Sequence, residues 1–184
     1  SMAYDFSECK SKAKQTEEWL AREFTGLRAG RAHPALLDGV RVEAWGTTVP
    51  IKQVAAIAIE DARTLKISPY DAAQGKAIEK AIMLGNLGLS ASSGDGGVRV
   101  AFPELTVERR AALFKTAKAT CEEARVSLRR ARDEAVREVD ARAKAETVGE
   151  DEKFRLKKEL EKLADAAGAV LDATLARKEK EMNA

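Results

Sequence analysis

Residues 105–145 read LTVERRAALFKTAKATCEEARVSLRRARDEAVREVDARAKA. The stretch holds no Pro or Gly and is dominated by Ala, Leu, Arg, Lys and Glu, the better helix formers. Thr106 is placed to cap its start, with Glu108 and the apolar run close behind. As a helix it would be a rod of roughly 60 Å at ~1.5 Å per residue. Helices in globular domains average only about 11–12 residues. At about 100° per residue, Leu113, Ala117, Cys121, Ala124, Leu128, Ala135 and Val139 share one stripe. Lys118, Arg125, Arg129 and Arg132 form a second row about a quarter turn away. Between Arg109 and Arg132 the only acids are Glu122 and Glu123. Such a row suits a solvated helix face or an anion-binding ridge.

The rest of the composition agrees with long helices. Charged residues make up 34% of the 184-residue chain, above the usual ~25%. The length fits one or two domains. Net charge is only +2, so any affinity for nucleic acid must come from local clustering. Cys9 and Cys121 both fall at apolar positions of helical patterns. They read as reduced core thiols of a cytosolic protein, not as a disulfide or metal site. No apolar run approaches the ~18–20 residues of a membrane span, and no secretory leader is visible. Ser1 ahead of Met2 reads as a cloning remnant.

A first helix is expected over about 5–27, where Phe6, Cys9, Ala13, Thr16, Leu20, Phe24 and Leu27 recur in steps of three and four. Trp19 lies beside that seam and reads as packing. Gly30 and Pro34 then end the helix and turn the chain. From Gly39 to Phe102 the period shortens. Val40, Val42 and Ala44 alternate with Arg41 and Glu43 before a turn at Trp45–Gly46. Ile51 should open a short extended piece. VAAIAIE (54–60) and RTLKISP (63–69) read as strands around an acidic turn at Glu60–Asp61. Residues 72–84 read as a helix closed by Gly85 and Asn86. SASSGDGG (90–97) reads as a flexible hairpin-like turn leading into Val98–Phe102. After the long helix, Gly149 and the acids that follow it mark another helix start. Leu156, Leu160, Leu163, Ala167, Val170, Leu171, Thr174 and Leu175 carry a last seam.

Three seam-bearing helices, each too narrow to be stable alone, call for an elongated three-helix bundle. The mixed segment interrupts it, so the class is α+β. The bundle domain comprises 1–29 and 106–184, and a small inserted α/β, β-rich domain comprises 30–105. Both connections fall at one end of the rod. Hinges are therefore expected near 29–31 and 103–106, with Arg28, Gly30, Arg31 and Pro103 as hinge residues.

Five motifs carry a resemblance to a known family. They are LRAGRAHPALLDGVRVEAWGT (27–47), EDARTLKISPYD (60–71), AIEKAIMLGNLGL (77–89), VRVAFPELTVERR (98–110) and KLADAAGAVLDATLARKEKEM (162–182). In this order they make the chain resemble the bacterial ribosome recycling factors over 5–182. The resemblance implies an L-shaped, transfer-RNA-like outline. It implies binding to the post-termination ribosome, with elongation factor G and that partner's GTP hydrolysis splitting the subunits and freeing messenger and deacylated transfer RNA. It also implies contacts to large-subunit ribosomal RNA from bundle arginines, which correspond to Arg110, Arg129 and Arg132. Arg125 and Lys118 join them from the row described above, and Arg28 and Arg31 at the corner are further candidates or simple hinge stabilisers. An Arg fork grips phosphate oxygens bidentately and keeps its charge. The family pattern VRN-(I/V)-RRDAN stands here as LRRARDEAV, so Arg130 is added and Asp133 follows Arg132.

No catalytic, metal or cofactor constellation is visible. His33, the single histidine, precedes Pro34 in a turn and has no nucleophile or carboxylate near it in the pattern. GDGG lacks the Gly-Lys-Ser/Thr pattern of a phosphate loop. The expectation is a non-enzymatic, monomeric cytoplasmic factor without cofactor. Two other readings remain: a helical adaptor that binds a partner helix through an exposed 113–139 stripe, and an RNA-binding module without recycling activity.

Overall fold

The computed structural model describes residues 4–28, 30–145 and 148–183. The expected Ser1 remnant, Ala29 of the first hinge and Glu146–Thr147 before the last helix lie outside them. The chain divides into two compact units, one from the N-terminus to Arg28 with Glu108–Asn183, the other Ala29–Val107.

The first unit is built from three helices, α1 (Ser7–Gly26), α3 (Val107–Lys144) and α4 (Glu150–Met182). Helix α1 starts under Asp5, whose carboxylate accepts from the Ser7 amide and hydroxyl, both at 2.8 Å. These bonds hold the Asp5 carboxyl below its ordinary value. The cross-helix contacts fix directions. Tyr4 Oη donates to Glu138 Oε2 at 2.8 Å and Lys12 Nζ to Glu134 Oε2 at 2.6 Å, so α1 runs antiparallel to α3. Cys121 Sγ donates to Leu171 O in α4 and Cys9 Sγ to Ala131 O in α3, and both cysteines are buried and free. Burial raises both thiol pKa values, as apolar surroundings disfavour the thiolate.

Every residue of the 113–139 stripe is buried, with Ala131 added to it. Four of its residues are Ala (117, 124, 131 and 135), which lets neighbouring backbones approach closely. The exposed stripe that the adaptor reading requires is therefore absent. In α1, Cys9, Ala13, Leu20 and Phe24 are buried as expected, while Phe6, Thr16 and Leu27 are only half-buried. In α4 the seam departs further. Val170 is exposed, Leu163, Thr174 and Leu175 are half-buried, and the last turns bury Lys178 and Met182. The Lys178 stem takes a seam position, and its ammonium lies 3.7 Å from Glu181.

In the second unit the sequence alternation is obeyed closely. Strand β1 (Arg41–Ala44) buries Val42 and Ala44 and exposes Arg41 and Glu43. It pairs antiparallel with β2 (Thr47–Pro50). Their two-residue turn has positive φ at Trp45 and Gly46 (53° and 75°), as a tight hairpin demands. Ile51–Gln53 is a 3-10 turn, not an extended piece, because the strand comes just before it and Ile51 folds into the core. Strands β3 (Ala55–Asp61), β4 (Thr64–Pro69), β5 (Ser90–Gly94) and β6 (Gly97–Ala101) form an antiparallel sheet in the order β3-β4-β6-β5. Helix α2 (Gly75–Leu84) buries Ile78 and Ile82 in a core shared with Leu65, Ile67, Val98 and Val100.

Two expectations are corrected here. Glu60 and Asp61 belong to β3, and the turn lies at Ala62–Arg63. The hairpin expected over 90–97 is present, but its turn is confined to Asp95–Gly96, and Ser90–Gly94 is an edge strand, not part of a flexible turn. Its short polar side chains carry almost no strand signal, but β6 offers it a complete ladder from Ala101 to Gly97. Ser93 Oγ also donates to Glu79 Oε2 of α2 at 2.6 Å. Gly97 is required where it stands, since a Cβ there would lie 2.7 Å from the Ile67 carbonyl oxygen.

Candidate nucleic-acid interface

Lys118, Arg125, Arg129 and Arg132 follow one another along α3 over about 21 Å of axis. Their charges are unequally available. Arg125 Nη2 donates to Asp172 Oδ1 of α4 at 2.7 Å, and its Nη1 to Glu122 at 3.4 Å. Arg129 Nη2 donates to Glu122 Oε1 at 3.0 Å. Glu122 is thereby held below the usual carboxylate value, first by Arg129 and then by Arg125. Arg132 bonds the neighbouring Asp133 through Nε and Nη2, at 3.3 and 3.1 Å. Lys118 is exposed, its ammonium 4.5 Å from the centre of the Phe114 ring.

These are surface ion pairs of the kind worth about 0–1 kcal/mol. They orient the guanidinium groups without consuming them, since a phosphate can displace a solvated carboxylate. Arg110 sits differently. It continues the line of Leu113, Ala117 and Cys121, and so is half-buried. Its Nε is buried without a hydrogen-bond partner among the described residues. The structure thus groups four of the five expected contacts on one face and sets Arg110 on the line of the core stripe.

At the expected hinge positions, Gly30 has φ +69° and Arg28 is exposed. Arg31 is half-buried. The sequence reading passed over Arg63, whose Nη1 donates to Gly30 O at 3.0 Å and to Pro103 O at 3.4 Å. One side chain so ties together the two ends of the second unit. Its signal is faint, a single Arg in a strand-flanking turn. His33 Nδ1 accepts from the Ala35 amide at 3.1 Å and caps the 3-10 turn Pro34–Leu37, a structural role. Glu60 and Arg99 form a bidentate pair across the sheet at 2.9–3.1 Å. Among the described residues there is no His/Cys/Asp/Glu group able to hold a metal ion, and no helix long and apolar enough to cross a membrane.

The ribosome recycling factor family model matches residues 20–182. The chain belongs to that family. It is 46% identical over 167 residues to a ribosome-recycling factor of Ectopseudomonas mendocina, covering 91% of this chain and 90% of the relative. A Pseudomonas putida ribosome-recycling factor is 44% identical over 165 residues, covering 90% of this chain and 89% of its own. Among solved structures, a ribosome recycling factor in solution superposes with TM-score 0.63 at 35% identity, over 97% of this chain and 95% of its own. The Thermus thermophilus ribosome recycling factor, described together with Escherichia coli elongation factor G on the E. coli post-termination complex, gives TM-score 0.58 at 37% identity, over 96% of each chain. Membership of the ribosome recycling factors covers both units of the chain.

Proposed function

We propose that this chain binds the post-termination ribosome and, with elongation factor G and GTP hydrolysis by that partner, separates the subunits so that messenger and deacylated transfer RNA leave. The observation that carries the reading is the likeness, in sequence and fold over nearly the whole chain, to the T. thermophilus factor described on that complex with elongation factor G. The α3 row supports it. Arg125, Arg129, Arg132 and Lys118 present cationic groups along one helix face, at a spacing suited to phosphates of large-subunit ribosomal RNA. Arg110 acts from the start of the same helix. Arg28, Gly30, Arg31 and Pro103 form the hinge, with Arg63 as its staple. The chain works as a cytoplasmic monomer, needs no cofactor and makes or breaks no covalent bond itself; its contribution is binding energy and geometry.

The test is subunit splitting with matched elongation factor G and GTP, followed by light scattering. The expected result is a fall in scattering that needs all three components. No fall at saturating protein would refute the reading. Ribosome binding without splitting would favour the RNA-binding module instead.

A further inference from the structure

Helices α1 and α3 enclose an open groove of about 540 Å³ on the flank of α3 away from the Arg125–Arg132 row. It is lined by Thr16, Trp19 and Arg22 of α1 and by Ser127 and Arg130 of α3, with Lys12, Gln15, Glu123, Ala131 and Glu134 around them. We propose that this groove holds an unstacked nucleotide of single-stranded RNA, the base against Trp19 and the flanking phosphates on Arg22 and Arg130. The proposal rests on the RNA-binding reading above only for its class of ligand.

Several observations converge on that ligand. Trp19 is half-buried and lines the groove, so its indole is positioned but not sealed in the core. An indole held this way is a stacking platform for any base. Arg22 and Arg130 are exposed and have no ion-pair or hydrogen-bond partner among the described residues, unlike Arg125, Arg129 and Arg132.

The antiparallel register places these groups. With Lys12 opposite Glu134, Arg130 stands level with Thr16, and Arg22 lies about 9 Å further along the axis. Trp19 falls between them. A cation on either side of an aromatic surface matches a base with a phosphate on each side. Of the acids, Glu134 is neutralised by Lys12, which holds its carboxyl below the usual value. Glu123 has no such partner among the described residues and, of the two acids lining the groove, is the one that opposes the ligand. Thr16, Gln15 and Ser127 add hydrogen-bonding groups for base edges and ribose hydroxyls. The volume falls within the ~300–1,000 Å³ of small-ligand sites. Arg130 is also the residue added to the family pattern.

The test uses the full chain carrying Trp45→Phe, which leaves Trp19 as its only tryptophan. Titration with a short single-stranded oligoadenylate should quench Trp19 emission saturably. Labelled oligoadenylate should bind about fivefold or more weakly to Trp19→Leu. It should also bind more weakly to Arg22→Gln and Arg130→Gln, while Trp19→Phe keeps part of the affinity. Circular dichroism melting of each variant shows whether it is folded. Absence of quenching, equal quenching by inorganic tripolyphosphate, or unchanged affinity in folded Trp19→Leu overturns the proposal. Arg129→Gln with Arg132→Gln should leave the quenching intact while lowering co-sedimentation with large subunits. Quenching lost in that double variant overturns the groove; co-sedimentation unchanged with quenching intact counts against the α3 row alone.

Discussion

Arg125 reaches from α3 to Asp172 on α4, its Nη2 2.7 Å from Oδ1, whereas Arg129, one turn on, pairs among the described residues only within its own helix. Two neighbours in the same cationic row therefore have different duties. Arg125→Ala removes an inter-helix tie that is partly solvated, and should cost about 0.2–1 kcal/mol of bundle stability. Arg129→Ala should leave the melting temperature nearly unchanged and weaken large-subunit binding. Thermal melts paired with co-sedimentation separate the two. Equal loss of stability in both variants would contradict the division.

Arg132 and Asp133 give a second test, because the carboxylate beside Arg132 competes with any phosphate for its guanidinium. Asp133→Asn should tighten ribosome binding and steepen its dependence on salt. Arg132→Ala should weaken binding and lower the salt slope by about 0.7–0.9, with little effect on folding. The measurement is co-sedimentation with large subunits across a salt series. An unchanged slope in Arg132→Ala would make that residue structural.

Legibility in the sequence followed the strength of the periodic signal. The α3 stripe was readable in all but Ala131 because its apolar positions repeat over many turns, and every one is buried. Strands β1, β4 and β6 were readable from alternation of β-branched or aliphatic residues with charges. Ser90–Gly94 was not, since its strand conformation comes from the β6 ladder and not from its own side chains. The α4 seam was read too broadly near Val170, since of the two adjacent residues Val170 and Leu171 only Leu171 is buried. At the site, charge and spacing revealed the row, but pairing is a tertiary property. The commitment of Arg125 to Asp172, the position of Arg110 on the stripe and the staple made by Arg63 all depend on residues distant in the chain.

Leu160 lies fully buried beside Cys9 and Ala135 at the meeting of all three helices. Leu160→Ala should therefore cost about 2–5 kcal/mol, the range for large-to-small core changes. Val170→Ala, at an exposed position of the same helix, should stay within about 0.5 kcal/mol. Denaturant unfolding of both variants checks the contrast. Similar midpoints would mean that the α4 seam runs through Val170 after all.

Gly30 combines φ +69° with crowding: a Cβ there would meet Leu105 Cγ at 2.9 Å and Arg63 Nη1 at 3.0 Å. Gly30→Val imposes a left-handed conformation on a β-branched residue and pushes the Arg63 guanidinium away from the carbonyls it binds. The expected cost is about 1–3 kcal/mol in the second unit. Arg63→Ala, which frees the space but loses the hydrogen bonds, should destabilise less and should partly relieve Gly30→Val. A double-mutant cycle on unfolding free energy reads the coupling, and strictly additive effects would exclude the staple.

Acid should weaken the bundle through Asp140, whose Oδ1 lies 2.7 Å from Lys157 Nζ and 3.7 Å from Lys153 Nζ across α3 and α4. Lys157, the nearer ammonium, is the main cause that holds the carboxyl below its ordinary 3.8. A carboxylate more acidic in the folded state stabilises it fully above the unfolded value, and that contribution disappears as pH falls through the depressed native value. Melting temperature should therefore decline as pH drops below about 4. Asp140→Asn should be less stable than the parent at neutral pH, and the gap should close toward the acid end of the series. Thermal melts of both proteins from neutral to strongly acidic pH decide it: parallel curves would show that the Asp140–Lys157 pair contributes nothing to the acid limb.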